Sequence, residues 1–215
     1  MLVTPRGQSP RVSAARPQSG VVRALPFEGG DHELVQAILA GRTDAATVFY
    51  DSHVDSVQRL AFRLLGPDTE IEDVVHDVFL RALESMSRLR DPAALKGWVF
   101  GITIRVVRTR IQRRIRQRWL RIMDPNEVPD VAITSDAGLS EAMCGVYAIL
   151  ERLPADERIA LVLHRVEGLS LEQAAAACET SLATLRRRLA RAETKFFSRA
   201  EKTPSLAPWL RGHHQ

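Results

Sequence analysis

The sequence predicts an all-α protein in which two small helical domains are joined by an acidic, flexible linker. Apolar residues recur at helical spacing through most of the chain, with no alternating strand pattern and no internal repeat. A length of 215 residues suits two small domains. Residues 122–138 carry four acids, no bases and two prolines, so the chain divides there.

Arginine dominates the basic residues. The net charge is +4, and 27 of the 30 basic residues are arginine. Its planar fork of donors suits phosphates and base edges, which favours a nucleic-acid partner.

Several absences narrow the class of protein. No apolar run approaches the roughly 18 residues of a membrane span, and the N-terminus lacks the apolar stretch of a secretory signal. Cys144 and Cys178 are too few and too far apart for a disulfide scaffold. We therefore expect a soluble, cytoplasmic protein.

Changes in composition divide the chain into five segments. They are a flexible basic arm (1–30), a first helical domain (31–121), the acidic linker (122–138), a second helical domain (139–200) and a C-terminal tail (201–215). The arm mixes four arginines with four prolines, and a tail without a role is the alternative. The C-terminal tail contains Pro204 and Pro208 and is expected to be frayed.

Four helices are predicted in the first domain. Asp31 and Thr43 have the character of N-caps for the first two, and Gly41 and Gly66 end them. Acidic residues open the third helix, where they suit the positive end of the helix dipole. The fourth is long and begins near Ala93.

The second domain contains a helix-turn-helix pattern. Pro154 ends its first helix, a second helix ends before Gly168, and two short helical units follow. Ser170 and Gln173 form a capping box, and residues 178–180 are the predicted turn. The last helix would enter the DNA major groove, although a plain helical hairpin fits the same pattern.

The fourth helix of the first domain carries concentrated positive charge. Between residues 105 and 121 the fourth helix of the first domain holds eight arginines and no acid. Such a run repels itself unless a polyanion neutralises it, and a nucleic-acid backbone is the obvious polyanion. A solvated basic face is the alternative. Arg105, Arg108, Thr109 and Gln112 share one face by helical spacing.

Signals of catalysis are missing. The six histidines show no metal-ligand spacing apart from the terminal pair, and no glycine-rich phosphate loop or nucleophile elbow occurs. Asp73 and Asp77 lie four residues apart, which suits an acidic docking surface. No cofactor and no metal are expected.

Several segments of both predicted domains resemble those of a known family. Residues 73–83 (Asp-Val-Val-His-Asp-Val-Phe-Leu-Arg-Ala-Leu) and 98–102 (Trp-Val-Phe-Gly-Ile) look like region 2 of a bacterial RNA polymerase sigma factor. Residues 153–158, 167–175 and 184–192 resemble region 4. Two regions with a short linker and no other domain resemble the extracytoplasmic-function (ECF) group.

The resemblance implies a function and partners. The protein would not be an enzyme, and it would direct core RNA polymerase to promoters and promote their melting as an alternative sigma factor. Its partners would be the clamp helices and flap of core polymerase, double-stranded and melted promoter DNA, and an anti-sigma factor, without membrane insertion. An anti-sigma factor could also hold the otherwise nucleoid-associated protein at the membrane.

The resemblance also assigns residues. Contacts to core polymerase fall on the third helix, at Asp73, His76, Asp77 and Phe79. The loop that holds a base flipped from the −10 element includes Arg88, Leu89, Arg90 and Lys96. The rest of the −10 surface is Arg105, Arg108, Thr109, Gln112 and Arg113. The −35 surface is Thr184, Arg186, Arg187, Arg188 and Arg191.

Two positions depart from the family pattern, and two rival functions stay open. Residues 181–185 read Ser-Leu-Ala-Thr-Leu, where members often have Pro-x-Gly-Thr-Val, and Arg105 stands where many members carry Asn. One rival is a polymerase-independent helix-turn-helix regulator. The other is a metal-dependent nuclease using Asp73, His76 and Asp77.

Overall fold

The computed structural model describes residues 29–67, 70–122 and 141–210, and every regular element in these ranges is helical. The α-helices are α1 (Asp31–Leu39), α2 (Thr43–Leu65), α3 (Ile71–Ser85), α4 (Leu95–Ile122), α5 (Glu141–Leu150), α6 (Ala155–Arg165), α7 (Leu171–Ala177), α8 (Leu182–Ala200) and α9 (Ala207–Leu210). Short 3₁₀ turns span Met86–Arg88, Pro92–Ala94 and Pro204–Leu206. The all-α prediction is confirmed for this part of the chain. Nearly all of the predicted basic arm and acidic linker lies outside the described residues.

Helices α1 to α4 form the first helical unit. α2, α3 and α4 pack against one another, with Phe49, Leu64, Val78 and Ile104 buried between them. The ring of Phe79 meets Phe49 edge to face, with centroids 5.5 Å apart. Each such side chain contributes roughly 1.5–3 kcal/mol of hydrophobic stabilisation. This core fixes the rotation of α4 and therefore the directions of its arginines.

Helices α5 to α9 form the second unit. α6 and α7 both pack against α8, and Ile159, Leu163 and Leu185 are buried there. Ala174 and Ala175 of α7 are also buried, and their small side chains let α7 approach α8 closely. Helix α6 therefore packs against both helices of the predicted helix-turn-helix, α7 and α8.

The predicted N-caps of α1 and α2 are each one residue C-terminal to the observed N-cap. The N-cap of α1 is Gly30 and that of α2 is Arg42, and neither makes a side-chain cap hydrogen bond. Asp31 and Thr43 are instead the first helical residues. At that position the Asp31 carboxylate still interacts favourably with the helix dipole.

The capping box at the start of α7 is confirmed. The Gln173 backbone N–H donates to Ser170 Oγ at 3.1 Å, and the Ser170 N–H donates to Gln173 Oε1 at 2.9 Å. The two bonds satisfy two amides that a helix start leaves unpaired.

The C-terminal segment is ordered in its described part, contrary to the prediction of a frayed tail. Residues 204–210 form a 3₁₀ turn and α9, and the buried Leu206 packs with Ile149 and Ala200. A Cβ built on Gly145 of α5 would lie 2.8 Å from Ser205 Oγ, so the tail rests directly on this glycine. Pro204 opens the 3₁₀ turn at a position where its fixed φ is favourable.

The two helical units pack against each other. α4 contacts α6 and α7, α2 contacts α6, and the buried apolar side chains of both units form one continuous cluster. Tyr147 of α5 sits over the end of α2, where its hydroxyl donates to the Phe62 carbonyl oxygen at 3.4 Å. Gly66 has φ +82°, and a Cβ there would lie 2.9 Å from the Tyr147 ring. A glycine therefore permits both the turn and the docking.

Candidate nucleic-acid interface

The arginines of α4 occupy three environments. Arg110 and Arg114 turn toward Glu70 at the start of α3, with Nη2–carboxylate distances of 3.0 and 3.2 Å. Arg113 and Arg116 are exposed. The remaining arginines whose side chains are described pair with acids of the second unit: Arg105 with Glu179, Arg108 with Asp156, and Arg118 with Glu151.

The predicted −10 surface therefore faces the second unit in part. Arg108 also donates from Nη2 to the Cys178 carbonyl at 3.5 Å. Thr109 Oγ1 donates to the Arg105 carbonyl within its own helix, at 3.0 Å. Gln112 and Arg113 are exposed. The structure brings Arg105 and Arg108 together, as the spacing predicted, and gives them carboxylate partners that the spacing did not reveal.

A polar cleft lies between the end of α3 and the start of α4. Its volume is about 520 Å³, and its lining includes Arg81, Arg88, Arg105 and the half-buried Trp98. Of the predicted loop residues, Arg88 lines this cleft, Arg90 and Lys96 are exposed, and Leu89 packs against the core. Sequence reasoning missed Arg81. Its position seven residues before Arg88, two helical turns away, was the available signal.

The helix-turn-helix arginines of α8 have different exposures. Arg186, Arg187 and Arg191 are exposed. Arg188 is half-buried, and its Nη2 lies 2.8 Å from Asp156 Oδ2. Thr184 belongs to the helix start, where its backbone N–H donates to Ser181 Oγ at 3.2 Å.

Asp156 lies between the two basic helices. Its Oδ1 is 2.9 Å from Arg108 Nε of α4, and its Oδ2 is 2.8 Å from Arg188 Nη2 of α8. The Arg108 contact has ion-pair distance, but its atoms are out of line for a hydrogen bond. One carboxylate thus serves an arginine from each predicted DNA-binding surface.

The turn between α7 and α8 contains an unusual backbone conformation. Glu179 has φ +53°. Among the residues that the structure describes, no other non-glycine residue has a positive φ. This left-handed conformation costs a non-glycine residue about 1 kcal/mol or more. Its carboxylate is bound by Arg105.

The acidic face of α3 is exposed in part. Asp73, His76 and Asp77 are exposed, with Asp73 Oδ2 lying 3.9 Å from Arg110 Nη2. The placement of Phe79 on this surface requires correction, because its side chain is only 5% exposed and packs inward. Leu80, which sequence reasoning did not single out, is 44% exposed and adds an apolar contact area.

Charge is also buried between the units. Arg158 of α6 is 2% exposed, and its Nε and Nη2 have no hydrogen-bond partner within the described residues. Burial lowers the pKa of Arg158 to about 10, with the nearby Glu151 opposing that shift. Burial also lowers the pKa of Arg114 and raises that of the Cys178 thiol. These groups stay in their usual charge states at neutral pH, so the packing of the units carries a desolvation cost.

Neither a metal centre nor a membrane span is visible where the structure is described. Its His, Cys, Asp and Glu residues form no group of three or more that could hold an ion. No described helix is both long enough and apolar enough to cross a bilayer.

The comparisons with known proteins agree with this division into two helical units. The family model of sigma-70 region 2 matches residues 49–119, and that of sigma-70 region 4 matches residues 145–196. Together the two models span more than half of the chain, so the chain belongs to the sigma-70 family.

The relatives that the chain resembles include ECF sigma factors. The chain is 32% identical over 142 residues to the ECF RNA polymerase sigma factor SigE of Mycolicibacterium smegmatis, a match that covers 65% of this chain and 55% of that protein. It is 29% identical over 144 residues to EcfG of Rhodopseudomonas palustris, covering 66% and 77%. The structure of the sigma factor RpoE of Bartonella quintana, solved with the anti-sigma factor NepR, is similar with a TM-score of 0.53 and 26% identity, covering 71% of this chain and 94% of that one.

Proposed function

We propose that the protein is an alternative sigma factor that binds core RNA polymerase, directs it to promoters through −10 and −35 elements, and promotes promoter melting. The supporting observation is the presence of two basic surfaces, one on α4 and one on α8, in the two units that match regions 2 and 4. One surface suits an opened strand and the other suits a major groove.

The α4 surface is proposed to hold the melted −10 strand. Arg113 and Arg116 are free to contact phosphates. The neighbouring cleft combines Arg81 and Arg88 with the indole of Trp98, the elements that capture an unstacked base by charge and stacking. Releasing Arg105 from Glu179 would extend this surface toward the cleft.

The α8 surface is proposed to read the −35 element. Arg186, Arg187 and Arg191 project from a helix whose start is capped by Ser181. An arginine in the major groove can bridge the two acceptors of a guanine.

The acidic face of α3 is proposed to bind core polymerase. Asp73, His76 and Asp77 offer charge, and Leu80 offers apolar area beside them. Phe79 supports this face from within through its ring contacts with Phe49 and Tyr50. We place the protein in the cytoplasm with its polymerase, expect control by an anti-sigma factor, and assign it no enzymatic activity of its own.

Run-off transcription tests this function. Core polymerase without a sigma factor is incubated with a pool of genomic fragments, with and without the protein. Discrete transcripts that need the protein are expected, and their upstream sequences would give both promoter elements. If the folded protein binds DNA fragments alone yet neither binds core polymerase nor yields transcripts, the helix-turn-helix regulator replaces the sigma factor as the explanation.

A further inference from the structure

Another cleft lies where the end of α4 meets α6 and α8. Its volume is about 640 Å³, within the range of small-molecule sites in proteins. Three arginines line it from three parts of the chain: Arg118 from α4, Arg152 from the turn before α6, and Arg199 from α8. Because like charges repel, three arginines around one cleft favour an anionic occupant. We call this site the arginine cleft.

Two of these arginines have no acid of their own. Arg118 donates from Nη2 to Glu151 Oε2 at 3.2 Å. Among the described residues, no carboxylate lies within ion-pair distance of Arg152 or Arg199. The Nη1 of Arg199 is buried and has no hydrogen-bond partner in the same part of the chain. Such a donor costs about 1–3 kcal/mol, which an anion in the cleft would offset.

A buried charge beside the arginine cleft adds to its positive potential. Arg158 is fully enclosed, and it interacts electrostatically with Glu151 and Arg118, which line the cleft. The other acid of the lining, Asp156, already lies against two arginines of its own. The site therefore holds an excess of positive charge although two acids line it.

An exposed indole also lines the arginine cleft. Trp119 follows Arg118 on α4 and is 64% exposed. An indole left in water costs hydrophobic free energy, and its flat face suits stacking against another ring. Guanidinium groups for phosphates and an aromatic face for a base are the elements that bind a nucleotide.

We propose that the arginine cleft binds a nucleoside polyphosphate, with the phosphates on Arg118, Arg152 and Arg199 and the base on Trp119. A phosphate displaces Glu151 from Arg118 at little cost, because the two side chains of that pair are 33% and 42% exposed. The proposal goes beyond the proposed function and does not depend on it. Because the walls of the cleft come from both helical units, a bound nucleotide also stabilises their packing.

Calorimetric titration of the full chain with ATP tests the site. ATP is expected to bind. Adenosine lacks the phosphates and pyrophosphate lacks the base, so each should bind at least roughly tenfold more weakly. Failure of ATP to bind at millimolar concentration overturns the proposal. Pyrophosphate that binds as tightly as ATP overturns the placement of a base on Trp119.

Charge-neutralising variants locate the phosphates. Arg152→Gln and Arg199→Gln are each expected to weaken ATP binding roughly tenfold, because each loses a charge-assisted hydrogen bond. The matched control is Arg59→Gln, which removes an exposed arginine of α2 that does not line the cleft and causes the same change in net charge. An equal loss in this control would mean unspecific attraction of a polyanion, and the proposal would fail.

Glu151→Gln is expected to act in the opposite direction. It removes a negative charge from the lining, so ATP should bind roughly threefold more tightly. Asp55→Asn makes the same charge change on an exposed residue of α2 and should leave the affinity unchanged. Weaker binding of ATP by Glu151→Gln contradicts the placement of a phosphate on Arg118.

Substitutions of Trp119 test the base. Trp119→Ala should weaken ATP binding roughly tenfold and leave the binding of pyrophosphate unchanged, because only ATP loses a stacking partner. Trp119→Phe keeps an aromatic face and should restore most of the affinity. An equal loss for ATP and pyrophosphate in Trp119→Ala would show that the indole supports the cleft without contacting a base.

A DNA strand is the competing occupant, because Gln112 of the predicted −10 surface also lines the cleft. The probe is an unphosphorylated single-stranded decamer of deoxyadenosine. Its binding should respond to Arg152→Gln and Arg199→Gln no more than to Arg59→Gln. A tenfold loss in the first two variants alone would assign the cleft to DNA and overturn the nucleotide. None of these titrations involves polymerase, so this site and the sigma-factor function fail separately.

Discussion

At the scale of single residues, the arginines of this chain differ more than their spacing indicates. On α8, Arg187 is exposed while its neighbour Arg188 is bound to Asp156. On α4, Arg113 is exposed while Arg110 is bound to Glu70. Under the proposed function, we expect exposed arginines to contact DNA directly and paired ones to do so only after their acids are displaced.

Arg187→Ala is expected to reduce transcription from promoters that depend on the −35 element. Loss of a base or phosphate contact costs about 1–3 kcal/mol, which is roughly a 5- to 150-fold loss of promoter affinity. Run-off transcription at limiting DNA measures this loss of promoter affinity. Arg59→Ala, the loss of an exposed arginine on α2, is the control. Equal activity of the two variants would remove Arg187 from the −35 surface.

Asp77→Ala is expected to weaken binding to core polymerase roughly fivefold, as for loss of a typical contributing interface residue. The fold should persist, because Asp77 is exposed and alanine is the better helix former. Competition with another sigma factor for core polymerase measures this loss of binding. The control is Asp55→Ala, which removes an exposed acid of α2. Wild-type competition by the Asp77 variant would refute the assignment of this face.

At the scale of elements, local patterns predicted what depends on local chemistry. Apolar periodicity placed the helices, and Ser170 with Gln173 marked the start of α7 because a capping box is complete within four residues. The same periodicity includes Phe79 in the apolar stripe of α3, and its burial follows from that stripe. Family resemblance alone had placed it on the surface.

Other features depend on residues that are distant in sequence. The partners of Arg105 and Arg108 lie about 50 to 75 residues away, at Asp156 and Glu179, and no helical period connects them. The order of the C-terminal segment depends on Gly145, whose missing side chain makes room for Ser205. The prolines there indicated a break in structure, but they could not indicate docking.

Gly145→Ala is expected to lift the C-terminal segment from α5. The new Cβ would lie 2.8 Å from Ser205 Oγ and 3.3 Å from Thr203 Cγ2, whereas α5 itself gains helix propensity. Hydrogen exchange should show faster exchange of the amides of residues 205–207. Adding Ser205→Gly removes the closest atom and should restore protection in part. Unchanged amide exchange in Gly145→Ala would show that the C-terminal segment shifts slightly but stays packed on α5.

At the scale of the whole molecule, the docking of the units rests on apolar contact as well as charge. Tyr147 packs edge to face on Phe62, with ring centroids 6.0 Å apart, and covers Gly66. A continuous buried cluster joins the units, so docking excludes water from apolar surface on both. Salt screens the ion pairs around this contact, so we expect the docking to weaken as the ionic strength rises.

Two glycines permit a matched test of this docking. Gly66→Ala and Gly41→Ala both place alanine at positive φ, +82° and +79°, at a backbone cost of about 1 kcal/mol. Only at Gly66 does the new Cβ meet another group, the Tyr147 ring. Denaturant unfolding should therefore show a larger loss of stability for Gly66→Ala, with expansion of the native chain by scattering. Equal losses would mean that Tyr147 moves aside at no cost.

The pairing of arginines with acids inside the chain also affects how the free protein is distributed in a cell. A genome presents about 10⁶–10⁹ non-specific binding sites, and a chain with 27 arginines would be sequestered by that excess if every arginine faced outward. Because Asp156 and Glu179 hold Arg105, Arg108 and Arg188, we expect more of the protein to remain in the diffusing pool. Under the proposed function, its availability to polymerase would then be less sensitive to the amount of chromosomal DNA.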